Sequence, residues 1–291
     1  MKVRRLSYAL GAEVLGVDIT GPLPPTLVEE ILGLWHEHQV LLFRGAALTP
    51  QQQIQFTENF GEPDRHEGNP NFRMAGYPEL IEITNKLSAN GKASPTKDVG
   101  RAWHSDLEHT LQPLKGSVLW CGALPDVGGD TMFANMYMAF ETLSPGLQKT
   151  LASLEAEHDV IASFSPKYAP PDPEHVAALR RTAPPVAHPV VRVHPATGRK
   201  SLFLSERVSG FVGWTYEESR PLLQFLSEHF TQPELVYRHQ WQLHDMVMWD
   251  NRCVNHQALG NYDRSQVRYM RRTSIIGEPL GRPMNSVLAV A

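Results

Sequence analysis

Apolar residues fall along this chain in short runs bounded by turn residues, a pattern of strands more than of long helices. The unbroken run at residues 40–43 predicts a buried strand, and runs at 12–19, 80–84, 116–122, 131–135, 190–194, 201–204, 235–239, 245–250 and 267–276 predict further strands. Pro195-Ala196-Thr197-Gly198 is a turn that joins two of these into a hairpin. Helical spacing is rarer. Leu27, Ile31, Leu34 and Trp35 share one face of a helix running from Pro24 and Pro25 to about His38. Thr49, Pro50 and Gln52 supply the cap, first-turn proline and capping box of a second helix that Gly61 ends. Ser144 and Pro145 start a third, running to about Glu155, and residues 216–230 form a fourth. Residues 85–100, with Gly91, Pro95 and Gly100, predict a mobile loop, and residues 169–174, with three prolines, a second long loop. There is no repeat or linker, and strands occupy both ends, so residues 1–291 are expected to fold as a single domain.

Composition narrows the class. The 291 residues are 42% hydrophobic and 20% charged, as in ordinary globular proteins. The net charge of -4 offers no basic field for nucleic acid or an anionic membrane, so neither partner is expected. Glu13 and Asp18 interrupt the N-terminal apolar stretch, so no signal peptide is expected, and no run reaches the roughly 20 residues of a membrane span. The two cysteines, Cys121 and Cys253, do not make a disulfide framework, and a cytoplasmic location is expected.

Candidate chemistry sits in two blocks. His104 and Asp106, two apart, face the same way on an extended strand while Ser105 points away, and His256 lies far along the chain. Two histidines and one carboxylate are the donors of a facial triad that leaves open positions on a non-haem Fe(II). Of the other histidines, His194, His239 and His244 lack a carboxylate two residues away and are expected to be structural or on the surface. His109 is expected to bond locally, and His188 to end a loop. In the segment 267–276, Arg268 and Arg272 fall on one face, with about 13 Å of backbone between them. Two guanidiniums turned into an apolar interior require anions, and a dicarboxylate supplies them through bidentate bonds.

These blocks, with Gly128-Gly129-Asp130-Thr131, His188-Pro189-Val190-Val191 and Trp249-Asp250-Asn251-Arg252, resemble in order the taurine / 2,4-dichlorophenoxyacetate dioxygenase family. The resemblance covers most of the chain. It implies a double-stranded β-helix, the cupin-like jelly roll, mainly β with helices outside. It implies that His104, Asp106 and His256 bind Fe(II), that Thr131 and Arg268 hold the distal carboxylate of the co-substrate 2-oxoglutarate, and that Arg272 supports its metal-bound carboxylate, the acidic group of the substrate, or both. It implies O2 as oxidant, succinate and CO2 as products, and hydroxylation of a small anionic organic substrate such as an aryloxyalkanoate or alkylsulfonate, with cleavage when the new hydroxyl is unstable. The alternative on the same scaffold is a hydroxylase of another small carboxylic acid or amino-acid derivative. His66, Leu107 and Arg272 are the expected substrate contacts, the lysines of residues 85–100 suggest a lid, and a homo-oligomer is expected. A zinc hydrolase would use the triad without paired arginines, and a non-catalytic binding module would hold the acid without turning it over.

Overall fold

The computed structural model describes residues 1–68, 70–87, 90–163 and 173–284. Val40–Phe43 is buried along its whole length because both its faces are covered within an eight-stranded sheet. The order across that sheet is Lys2–Arg5, Ala12–Leu15, Val40–Phe43, Met246–Asp250, Gly116–Ala123, Tyr269–Ile275, Tyr77–Thr84 and Arg73–Met74. Alternation then sorts its residues. Met246 and Met248 pack with Trp35, Phe43, Phe56 and Trp120 under the helices Pro25–His38 and Pro50–Glu58. Val247 and Trp249 point the other way, into a core shared with Phe133, Val254 and Met270. That second core is closed by a three-stranded sheet, Val236–His239, Thr131–Asn135 and Val254–Ala258. A four-stranded sheet (Val208–Phe211, Glu155–His158, Val186–Pro189, Arg282–Pro283) and the hairpin Val191–Val193 with Lys200–Leu202 complete the β structure. The helix Tyr216–Phe230 covers a third apolar cluster through Leu226 and Phe230.

Local signals explain where elements begin. Thr49 and Gln52 form both halves of a capping box, as do Thr215 and Glu218, and Ser144 caps Pro145–Leu151. Several expectations change. The first predicted strand stops at Leu15, and the helix expected to reach Gly61 ends at Glu58. The third helix ends at Leu151, and Glu155–His158 is a strand, because tertiary pairing with Val186–Pro189 overrides a locally helical sequence. His188 therefore lies inside a strand, not at a loop end, and its Nε2 is 2.9 Å from Thr110 O. Met136–Glu141 is an unforeseen helix that follows a strand directly, capped by Asn135. Of the predicted loop 169–174, Pro173 and Glu174 begin the helix Pro173–Thr182, and the rest lies outside the described residues.

Close packing makes two glycines respond oppositely to the same change. A Cβ on Gly116 would fall 2.4 Å from Trp35 Cζ2 and 2.8 Å from Trp249 O, where neither ring nor backbone can yield. Gly33, exposed within Pro25–His38, meets nothing within 4 Å. Gly116→Ala is expected to cost about 2 kcal/mol by overpacking, and Gly33→Ala to add about 1 kcal/mol by removing backbone freedom from the unfolded chain. Urea unfolding midpoints of the two variants would check both signs.

Candidate metal centre

His104 and His256 meet because their backbones pair. His104 N donates to His256 O at 3.1 Å, and His256 N donates to His104 O at 2.8 Å, an isolated antiparallel bridge. Gly100 O accepts from Ala258 N at 2.7 Å, so residues 100–104 are tied to Val254–Ala258 at both ends without forming a regular strand. The chain then turns through Leu107, which sits at φ 52°. Asp106, just before that turn, lies against both imidazoles. Its Oδ1 lies 3.7 Å from His104 Nε2, and its Oδ2 lies 3.7 Å from His256 Nε2. All three side chains are buried, and their donor atoms lie within 4.8 Å of one another.

The protonation states suit a cation. His104 Nδ1 is 2.8 Å from Ala102 O. A carbonyl only accepts, so Nδ1 carries a proton, and in the neutral ring that a metal requires the Nε2 lone pair faces the centre. Burial, then His104, holds the His256 pKa well below its ordinary value, which keeps that ring neutral. Burial alone would raise the Asp106 carboxyl; the Arg272 guanidinium, with smaller help from His256 and His104, reverses this and keeps it well below the usual carboxylate range. Arg272 Nη1 donates to Asp106 Oδ1 at 2.5 Å, and Ser117 Oγ donates to Oδ2 at 2.7 Å. Asn251 braces this arrangement: its Oδ1 accepts from Asp106 N at 3.2 Å and from Trp249 Nε1 at 3.0 Å, and its Nδ2 donates to Ser117 Oγ at 3.2 Å. Two buried imidazoles and an ionised carboxylate, with His104 and Asp106 oriented by outer hydrogen bonds, fit a divalent cation of intermediate softness such as Fe(II).

Thr131 and Arg268 both lie by Ala258, at the end of the strand that carries His256. Thr131 pairs in register with Ala258, and its Oγ1 accepts from Trp241 Nε1 at 3.0 Å, which leaves its hydroxyl proton to be donated. Arg268 is 6% exposed and spends Nε on Gly129 O at 3.0 Å. It precedes the strand, which begins at Tyr269, and the register shifts between Tyr269 and Met270. A Cβ on Gly129 would crowd the Arg268 stem at 3.2 Å, and Gly129 sits at φ +74°, so glycine is required twice over. Asp64 N donates to Ser274 O at 2.8 Å, which lays residues 63–66 beside the Arg272 strand. His66 is buried at φ 51°, with Nδ1 3.0 Å from Asp64 Oδ2 and Nε2 without a partner. Both His66 and Leu107 hold backbone conformations that cost non-glycine residues of order 1–3 kcal/mol and that cluster at functional sites.

Other histidines sort differently from expectation in part. His194 and His239 are structural, buried against Asp250 (3.0 Å) and Asp245 (3.2 Å), and His244 stacks on Trp120. His109 makes no local bond through Nδ1, which is buried without a partner; burial and then Arg207 bring its pKa down to about 4. A second group of suitable residue types, His36, His194 and Asp250, also gathers. There Arg252 grips both carboxylate oxygens, at 2.8 and 2.7 Å. Ser117 and Asn251 were not singled out as positioning residues in the sequence. The available signals were a serine in the apolar run Gly116–Ala123 and an asparagine within Trp249-Asp250-Asn251-Arg252.

Known proteins share this architecture. The profile of the family described as "Taurine catabolism dioxygenase TauD, TfdA family" matches residues 2–274. The alpha-ketoglutarate-dependent 2,4-dichlorophenoxyacetate dioxygenase of Cupriavidus pinatubonensis is 38% identical, over 93% of this chain and 95% of that protein. An alkylsulfatase of Acinetobacter baylyi is 33% identical, over 96% and 86%. Among solved structures, AAD-2 in complex with Mn(II) and N-oxalylglycine has a TM-score of 0.81 at 33% identity, covering 96% of this chain and 98% of that one. A taurine dioxygenase from Burkholderia xenovorans has a TM-score of 0.80 at 30% identity, covering 98% and 96%. The chain belongs to the TauD/TfdA family and is an alpha-ketoglutarate-dependent dioxygenase that uses Fe(II), 2-oxoglutarate and O2.

Proposed function

We propose that this enzyme holds Fe(II) through His104, Asp106 and His256 and hydroxylates a small organic acid at a carbon next to a heteroatom. The convergence of three buried donors, with Arg272 bonded to the carboxylate among them, carries this reading. The bound iron and co-substrate supply the oxidising power, with 2-oxoglutarate leaving as succinate and CO2. The protein's own residues do the rest. Arg268, with Thr131, takes the distal carboxylate of 2-oxoglutarate. Arg272 keeps Asp106 ionised and presents its remaining donors to the anionic end of the substrate or to the inner carboxylate of the co-substrate. His66 Nε2 and the Leu107 turn face the substrate. The surrounding apolar core excludes water from the reacting carbon.

An aryloxyalkanoate is the favoured substrate, because two relatives, 38% and 37% identical over 93% and 91% of this chain, are named 2,4-dichlorophenoxyacetate dioxygenases. Hydroxylation of the carbon between an ether oxygen and a carboxylate gives a hemiacetal, which breaks to a phenol and a 2-oxo acid. Alkyl sulfates and sulfonates, the substrates in the names of other relatives, are the alternatives. A zinc hydrolase reading has no use for two buried arginines beside the triad. The fold is read as a double-stranded β-helix, a cupin-like jelly roll, with residues 1–291 as one domain; the three-stranded sheet facing the eight-stranded one supports this. Two free buried cysteines support a cytoplasmic location.

Succinate release measured over a panel of aryloxyacetates, alkylsulfonates, alkyl sulfates and their uncharged amide or ester analogues tests the substrate class. Turnover of the acids and not of the uncharged analogues is expected, and equal turnover of both sets would refute anion recognition. His104→Ala is expected to abolish substrate-dependent succinate production and the weak visible band that forms when Fe(II) and 2-oxoglutarate are added without oxygen; full retention of either would refute the metal assignment. Arg272→Gln is expected to lower kcat/KM for the acid by roughly one to two orders of magnitude, the worth of a charge-assisted bond, read from steady-state kinetics at saturating 2-oxoglutarate.

A further inference from the structure

Arg101 is a buried cation that the fold neutralises only in part. Its side chain is 9% exposed, and its Nη1 is buried with no hydrogen-bond partner among the described residues. Its acidic neighbour Asp98 stands 3.8 Å from Nη2 and is held more closely by Arg264, at 2.9 Å. Tyr262 offers only a ring face, 5.8 Å from the guanidinium carbon. A guanidinium keeps its charge in a protein, so a buried one with open donors implies an anion.

The chain makes room for this head deliberately. Any Cβ at position 260 would fall 2.4 Å from Arg101 Nη1, and only Gly260 avoids it. The backbone is pinned as well: Arg101 O accepts from Gln257 Nε2 at 2.7 Å. Arg101 is thus fixed three residues before His104 and beside the strand that carries His256. It lines the same cleft as Arg268, with Lys97, Ala258 and Tyr262, and the lining contains no carboxylate. Burial, aided in part by Arg101, brings the Arg268 pKa down to about 10, so an anion here relieves two cations at once.

We infer that Arg101 is a second positioning residue for the distal carboxylate of 2-oxoglutarate, acting with Arg268 in this cleft. The inference rests on the reading of Arg268 as the co-substrate anchor. Two guanidiniums on one carboxylate fill more of its lone pairs than a single fork can. They also make the site select a 2-oxo diacid over a 2-oxo acid of the same length with no distal charge.

Titration calorimetry on the Mn(II)-loaded protein separates the possibilities, with N-oxalylglycine as the diacid probe and 2-oxopentanoate as the monoacid. Arg101→Gln is expected to weaken N-oxalylglycine by roughly ten- to a hundredfold, to leave 2-oxopentanoate within about twofold, and to leave Mn(II) affinity unchanged. Arg101→Lys, which keeps the charge, is expected to recover part of the loss. Should Arg101→Gln not fold, Gly260→Ala, which pushes the guanidinium aside, is expected to give the same selective loss. Unchanged N-oxalylglycine binding, or equal weakening of both probes, overturns the role of Arg101. If Arg268→Gln instead binds N-oxalylglycine as the wild type does, the anchor reading itself fails, and this inference with it.

Discussion

Two backbone hydrogen bonds, from each of His104 and His256 to the other, are the constraint on which the centre depends. They join chain segments 152 residues apart without using either imidazole, so both rings remain available for a metal. Their worth is modest singly, about 1 kcal/mol each, but they act inside a larger frame. The same two segments are tied again through Gly100 and Ala258, and Ser105 Oγ donates to Asn251 O at 2.8 Å.

Charge is the second constraint, and one stretch of chain shows how it is managed. Arg268, Arg271 and Arg272 are all buried. Arg271 faces away from the centre, its guanidinium carbon 3.9 Å from the Trp120 ring centroid and Nη2 donating to Leu48 O at 2.5 Å. Arg272 is matched by Asp106. Arg268 has a carbonyl for its Nε but no carboxylate among the residues lining its cleft. Buried charge without a counter-charge is costly, so the uneven matching of three neighbouring arginines marks where an external anion must come. The position that the fold leaves uncompensated is the one proposed above to take the co-substrate.

Much of this was legible in the sequence, and the exceptions share a cause. Val40–Phe43 and Thr131–Asn135 carry apolar side chains on buried faces, so their strands and bounds could be read directly. Val254–Ala258 could not: Asn255, His256 and Gln257 are polar, and the strand exists because it pairs with Thr131–Asn135. His104 and Asp106 were legible as a pair, but the expectation of a regular strand between them was too simple; a single bridge followed by the Leu107 turn brings them together. Alternation along residues 267–276 selected Arg268 and Arg272, although the register shift at the start of the strand puts Arg268 just outside it. Periodicity could not reveal that Arg272 meets Asp106, a contact across 166 residues. Nor could it show that Arg271 is buried too, since only tertiary packing decides whether the second face of a sheet is covered.

The sharpest limit of residue-type reasoning lies in the two His-His-Asp groups, which are equal in composition and opposite in chemistry. At His104 the backbone offers Nδ1 a carbonyl, so a proton sits there and Nε2 of the neutral ring presents a lone pair. At His194 the backbone offers Nδ1 two amides, from Ala196 and Thr197, both at 3.2 Å. Nδ1 must accept, the proton moves to Nε2, and that nitrogen donates to Asp250 at 3.0 Å instead of binding a cation. The carboxylates diverge in the same way. Asp250 receives His194 Nε2 and the N, Nε and Nη2 of Arg252, which fill the about four lone-pair sites of a carboxylate. Asp106 receives one donor on each oxygen, from Arg272 and Ser117, and so keeps a lone pair on each. A metal needs unshared electron pairs on at least three converging atoms. The group at Asp250 has already given its pairs to protons, and is a buried ion-pair network that fixes Arg252 behind the Asn251 brace; the group at Asp106 has kept its own.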